Sequence, residues 1–130
     1  MIETDLRAML ASSVTSSDVY NICAGRVYVG GFPPNVTYPA VVMFLINENE
    51  DHMSYAREDR IQYSCYADYY SSAMDLADSV VSKIKGLQRL ISTGSTQNVL
   101  RSLYDNRTYL YDDSVSKHVA ICDQLIQYKR

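Results

Sequence analysis

The sequence predicts an α+β fold: a mainly antiparallel β-sheet with helices packed on one face, in a single domain spanning residues 1–130. Three observations predict it. The chain has 130 residues, 47% hydrophobic and 21% charged, an ordinary globular composition long enough to bury a core without disulfide or metal staples. Apolar residues recur at helical spacing in some segments and alternate in others. The order is helix, short helix, three strands, helix, then strands, without the strand–helix alternation that builds parallel sheets.

Ile2, Leu6, Met9 and Leu10 fall on one helical face, so residues 2–12 read as a first helix. A polar link from Ala11 to Ser17 follows. Ser17 is placed to cap a short helical turn over Asp18 to Cys23, with Asp18 favourable near its N-terminus. Gly25 ends that turn. Arg26 to Val29 reads as a short strand, and Gly30 to Asn35, with Pro33 and Pro34, breaks it. Ala40 to Ile46 is apolar on both alternating faces and reads as a strand covered on both sides.

Asn47 to Asp59 is polar and reads as a loop of about a dozen residues, far longer than the roughly 2–5 of ordinary hairpins. Arg60 to Ala67 is a strand with Ile61, Tyr63, Cys65 and Ala67 on one face. The next helix has Ser72 as N-cap and Asp75 three residues on. Its stripe is Ala73, Leu76, Ala77, Val80, Ile84 and Leu87. Asn98 to Tyr104 is a strand, Asp105 to Arg107 a turn, and Thr108 to Tyr111 the strand's continuation. Asp112 to Ser114 turns the chain into a last strand, Val115 to Tyr128. Both faces of that strand are mixed, which points to a bulge or to partial burial.

Composition excludes several functions. Lys and Arg total 12 against 15 Asp and Glu, a net charge of −3. Tight nonspecific nucleic-acid binding needs many cationic contacts to phosphate, so it is disfavoured. No basic membrane-binding face is present, and the longest apolar run, Ala40 to Ile46, is far too short to span a bilayer. The first residues show no basic stretch leading into an apolar one, so no secretory signal is expected. Cys23, Cys65 and Cys122 fit neither a disulfide framework nor a metal motif. They read as buried free thiols of a reducing cytoplasm.

The catalytic inventory is thin. His52 and His118 have no second ligand at zinc spacing, and no phosphate-cradling glycine loop occurs. The acidic run Glu48 to Asp51 lacks the spacing of a calcium loop. No cofactor or metal is expected. The unusual number is 12 Tyr, with no Trp and only 2 Phe. Tyrosine is enriched at protein–protein interfaces and also suits strand positions, and the two uses do not exclude each other.

In order, the segments resemble the tail terminators, the small tail-completion proteins of tailed phages and prophages. The resemblance runs through Leu6 to Leu10 and then Asp18 to Tyr28, a short helix followed by Gly, Arg, aliphatic and Tyr. It continues through Gly30 and Pro33, then Tyr38 to Val42, a Tyr-Pro before an aliphatic strand. Arg60 to Ala67, the helix Ser71 to Lys85, and the closing run Tyr111 to Ile121 after an acidic turn complete it. The polar stretch Asn47 to Asp59 and the abundance of tyrosine depart from the family pattern.

The resemblance implies a non-enzymatic virion subunit, assembled in the host cytoplasm and located at the head-proximal end of the tail. Its implied partners are copies of itself in a hexameric ring, the tail tube protein, and a neck or head-completion protein. Such a ring stops tube polymerisation and gives the filled head a docking surface. DNA passes through the lumen without tight binding, with which a net acidic subunit is compatible. The Asn47–Asp59 arm is the expected contact, with Glu48, Glu50, Asp51, Tyr55, Arg57 and Arg60 as interface candidates; as solvated loop residues they would have no such role. Two rival readings stand beside it. One is a neck or head–tail connector subunit. The other is a small ligand-binding or enzymatic domain lined by Asp112, Asp113 and His118.

Overall fold

The computed structural model describes residues 2–13, 17–50, 56–85, 89–92 and 95–129. It is α+β, with three helices and a mostly antiparallel sheet. The elements are α1 (Ile2–Ala11), α2 (Ser17–Cys23), β1 (Val27–Val29), β2 (Ala40–Glu50), β3 (Ala56–Ala67), α3 (Tyr70–Ile84), β4 (Arg89–Ser92), β5 (Ser95–Asp112) and β6 (Lys117–Lys129). The strand order is β1-β2-β3-β6-β5-β4. Among the described residues only β1 and β2 pair in parallel; the other neighbours are antiparallel.

Alternation decides which face the helices cover. Ile61, Tyr63, Cys65 and Ala67 of β3 are all buried, as their spacing predicts. Their neighbours Val41 and Met43 of β2, and Ala120 and Cys122 of β6, share that face and join the same core. Against it α3 lays Ala73, Leu76, Ala77, Val80 and Ile84, all buried. Each large side chain so buried contributes roughly 1.5–3 kcal/mol. Leu6, Met9 and Leu10 of α1 and Val19 and Cys23 of α2 complete the core. The chain leaves α2 through Ala24 and Gly25, both at positive φ. A Cβ at Gly25 would sit 3.2 Å from the carbonyl oxygen of Ala11, so glycine serves both the turn and the close approach.

Several expectations need correction. The polar stretch 47–59 is not a dozen-residue loop. Asn47 to Glu50 pair with Arg57 to Arg60, so only residues 51–55, outside the described residues, separate the strands. Backbone pairing does not depend on side-chain polarity, and β3 has a partner on each side, β2 and β6. A bulge at Ile46 shifts the register just where the apolar run ends. The double-sided cover expected for Ala40 to Ile46 holds only to Met43, since Phe44 and Ile46 are exposed.

Asp105 to Arg107 is not a turn. β5 runs through it with a bulge between Tyr104 and Asn106. Two of its charged side chains form ion pairs instead of turning the chain: Asp105 with Arg60 at 2.6 Å, and Arg107 with Asp78 of α3 at 2.6 Å. The mixed face of the last strand reflects partial burial, one of the two expectations, with Ile121, Asp123 and Leu125 half-buried; the bulges lie in its partner, β5, which carries two register shifts against a continuous β6. Nor does Ser72 cap α3. The helix begins at Tyr70, and the cap residue, Tyr69, makes no side-chain cap hydrogen bond. Leu87, expected at the end of the helix stripe, lies outside the described residues. β4 was not anticipated from the sequence.

Candidate interaction site

Tyrosine is used in three distinct ways. Tyr63 is wholly buried and donates to Gln124 Oε1 at 2.5 Å. Gln124 Nε2 in turn donates to Ser102 Oγ at 2.7 Å, and Ser102 hydrogen-bonds the carbonyl of Ile84 at the end of α3. This relay ties three strands to the helix and leaves each of its polar groups satisfied.

A second set lies on the sheet face away from the helices. Phe32 stands edge-on to Tyr28, Tyr38 and Tyr66, at 5.7, 5.8 and 5.0 Å between ring centroids. Lys117 Nζ lies 5.2 Å from the Tyr38 ring centroid and pairs with Asp68 at 2.5 Å. These rings hold the connection between β1 and β2 against the sheet. They account for the burial of Ala40 and Val42 on this second face.

The third set is unsatisfied by the fold. Tyr70 at the start of α3, Tyr109 and Tyr111 of β5, and His118 of β6 gather beyond the helix on the helix-covered face, with the exposed Tyr69 next to Tyr70 in the chain. Tyr70 meets Tyr109 edge-on at 4.6 Å, Tyr109 stacks on His118 at 5.9 Å, and Tyr111 meets His118 at 5.0 Å. The Tyr109 hydroxyl and His118 Nδ1 are hydrogen-bonded. Yet all four tyrosines stay exposed, Tyr69 by 71%. Rings pre-ordered by one another and left open to solvent lose little entropy on docking, which suits an interface.

The sheet face opposite the helices is also open towards its margins, where Phe44, Ile46, Leu103 and Leu110 are exposed. Between them Arg60 is already engaged. It bonds Asp105 at 2.6 Å, with Asp123 at 3.8 Å, and so ties β3 to the β5 bulge. Of the other predicted contact residues, Glu48, Glu50 and Arg57 lie on the paired ends of β2 and β3. Asp51 and Tyr55 lie outside the described residues. The exposed Tyr69–Tyr70–Tyr109–Tyr111 group was not singled out from the sequence. Its only signal there was the excess of tyrosine, because the rings are brought together from two elements distant in sequence, the start of α3 and β5.

The rival catalytic lining does not assemble. His118 sits in the Tyr111 row and Asp112 one row further, so their side chains point to opposite faces of the sheet. Asp112 instead accepts from the backbone and the hydroxyl of Ser114, at 3.0 and 2.6 Å. The Ser114 hydrogen bond holds the Asp112 carboxyl below its ordinary pKa. Asp113 lies in the β5–β6 turn, and His52 outside the described residues. Cys23, Cys65 and Cys122 are free and buried; burial raises the pKa of all three thiols, that of Cys65 most strongly. Among the described residues no three His, Cys, Asp or Glu are grouped to hold a metal, and no helix is long and apolar enough to cross a membrane.

The class these features define is an α+β domain with one helix-covered face, one partly open face, and an exposed aromatic group. Among solved structures, a chain of the "Virion of native gene transfer agent (GTA) particle" shares this fold with a TM-score of 0.66. The match covers 95% of this chain and 96% of that one, at 13% sequence identity, so the likeness is one of fold. No protein-family model and no curated protein matches the sequence.

Proposed function

We propose that this chain is a structural virion subunit, a tail terminator whose ring caps the tail tube, stops its growth and offers a docking surface to the neck or head. The observation that carries the reading is the end-to-end match in fold with a chain of a virus-like particle. The ordered resemblance of seven sequence segments to tail terminators points the same way. The surface chemistry supports it: an exposed aromatic group and an open sheet margin suit protein contacts, while His118 and Asp112 of the enzymatic rival point to opposite faces. The chain acts through shape and makes or breaks no bond. It sits at the head-proximal end of the tail, with the tube protein and a head-completion protein as neighbours.

Purified chain mixed with growing tail tubes tests the reading by electron microscopy. A terminator gives tubes of arrested length with density at one end. Tubes that lengthen unchanged, with the chain bound instead to portal-side components, would identify a connector.

A further inference from the structure

We infer that copies of this chain join edge to edge, the free stretch of β2 on one copy pairing as an antiparallel strand with the outer side of β5 on the next. The inference rests on the ring reading above and names the surface through which the ring would close.

Both margins of the sheet are partly unpaired. On one, β1 covers only Val41 to Met43 of β2, so among the described residues Phe44 to Glu50 have a strand partner on the β3 side alone. On the other, β4 pairs with Ser95 to Asn98 of β5. From Arg101 to Asp112, among the described residues, β5 is paired only with β6. Such free rows of N–H and C=O groups template an added strand.

Direction and level both fit a second copy. β2 is antiparallel to β3, β3 to β6, and β6 to β5, so β2 and β5 run oppositely. A copy set alongside without being turned over therefore presents its β2 antiparallel to β5, the favoured pairing. One row across the sheet holds Asn47, Arg60, Leu125 and Leu103; another holds Phe44, Gln62, Asp123 and Asn106. A level neighbour thus brings Ile46 and Asn47 beside Leu103, and the exposed Phe44, Ile46 and Leu103 lie where the two copies meet. A two-fold β5–β5 contact would leave Phe44 and Ile46 uncovered. The head-to-tail contact pairs Phe44 to Asn49 with Arg101 to Asn106, ends where β1 borders β2, and repeated by rotation generates a ring.

Two variants test this by native mass spectrometry and sedimentation. One carries Leu103→Lys with Asn106→Lys; the other carries Phe44→Lys with Ile46→Lys. Wild type is expected to form rings. Each variant alone is expected at the 14.7 kDa of the single chain, with circular dichroism and melting close to wild type. Mixed in equal amounts they should give a species of twice that mass and nothing larger, since each retains one intact margin. Milder variants, Leu103→Thr and Phe44→Thr with Ile46→Thr, keep strand propensity and should weaken assembly at least about tenfold. If wild type and both lysine variants form rings, or the mixture stays at single-chain mass, this surface is wrong while the ring stands. A wild-type chain that remains single at every concentration overturns the ring reading itself.

Discussion

At the scale of single residues, tyrosine shows how one side chain serves unlike ends. Tyr63 sits where water cannot reach, and its hydroxyl must have a partner. Tyr63→Phe leaves Gln124 Oε1 buried without that donor, and the expected loss is about 1–3 kcal/mol in urea unfolding; an unchanged midpoint would mean that the relay is idle. The three thiols supply a pH dependence. Burial raises their folded pKa values. Below about pH 8.5 they are neutral folded and unfolded, so they impose no penalty. Above it the unfolded chain ionises first, and stability falls as pH rises. Melting temperature should therefore drop on the alkaline side, and less so in a Cys65→Ala, Cys122→Ala variant measured relative to its own neutral value. The alternation of Ile61, Tyr63, Cys65 and Ala67 showed in the sequence which residues of β3 face the core. Which tyrosines would stay exposed did not show, because exposure of Tyr109 and Tyr111 depends on where α3 begins.

At the scale of elements, core-facing stripes were legible and ends were not. The apolar spacing from Ala73 to Ile84 located α3, but Ser72 looked a better cap than Tyr69 and is not the cap. Asp68 is tied to Lys117 and Tyr69 is already extended, at φ −123° and ψ 149°, so the helix starts where the chain leaves β3. Two expectations follow. Ser72→Ala should shift the melting temperature little. Tyr69→Asp places a carboxylate at the empty cap and should stabilise the helix by roughly 0.5–2 kcal/mol, read by thermal unfolding; a destabilised protein would show that the exposed ring contributes more than the cap. Bulges were equally hidden. The run Asp105 to Arg107 looks like a turn until Arg60 and Asp78, distant in sequence, arrive to bind it.

At the scale of the whole molecule, charge and shape decide the partners. With 12 cationic against 15 acidic side chains, the chain has no electrostatic reason to hold a duplex. Mobility of duplex DNA should be unchanged at roughly 10 µM chain and about 0.15 M salt, a result that a retarded band would contradict. The sequence by itself determined the fold class, the placement of core stripes and the acidic balance. Each of these follows from local periodicity or from counting. Tertiary structure alone decided that the polar stretch 47–59 is mostly strand and that β5 bends through two bulges. It also decided that Tyr70, Tyr109, Tyr111 and His118, from three elements, meet in the open. These depend on which strands become neighbours, and that is set by long-range pairing and by ion pairs between distant residues.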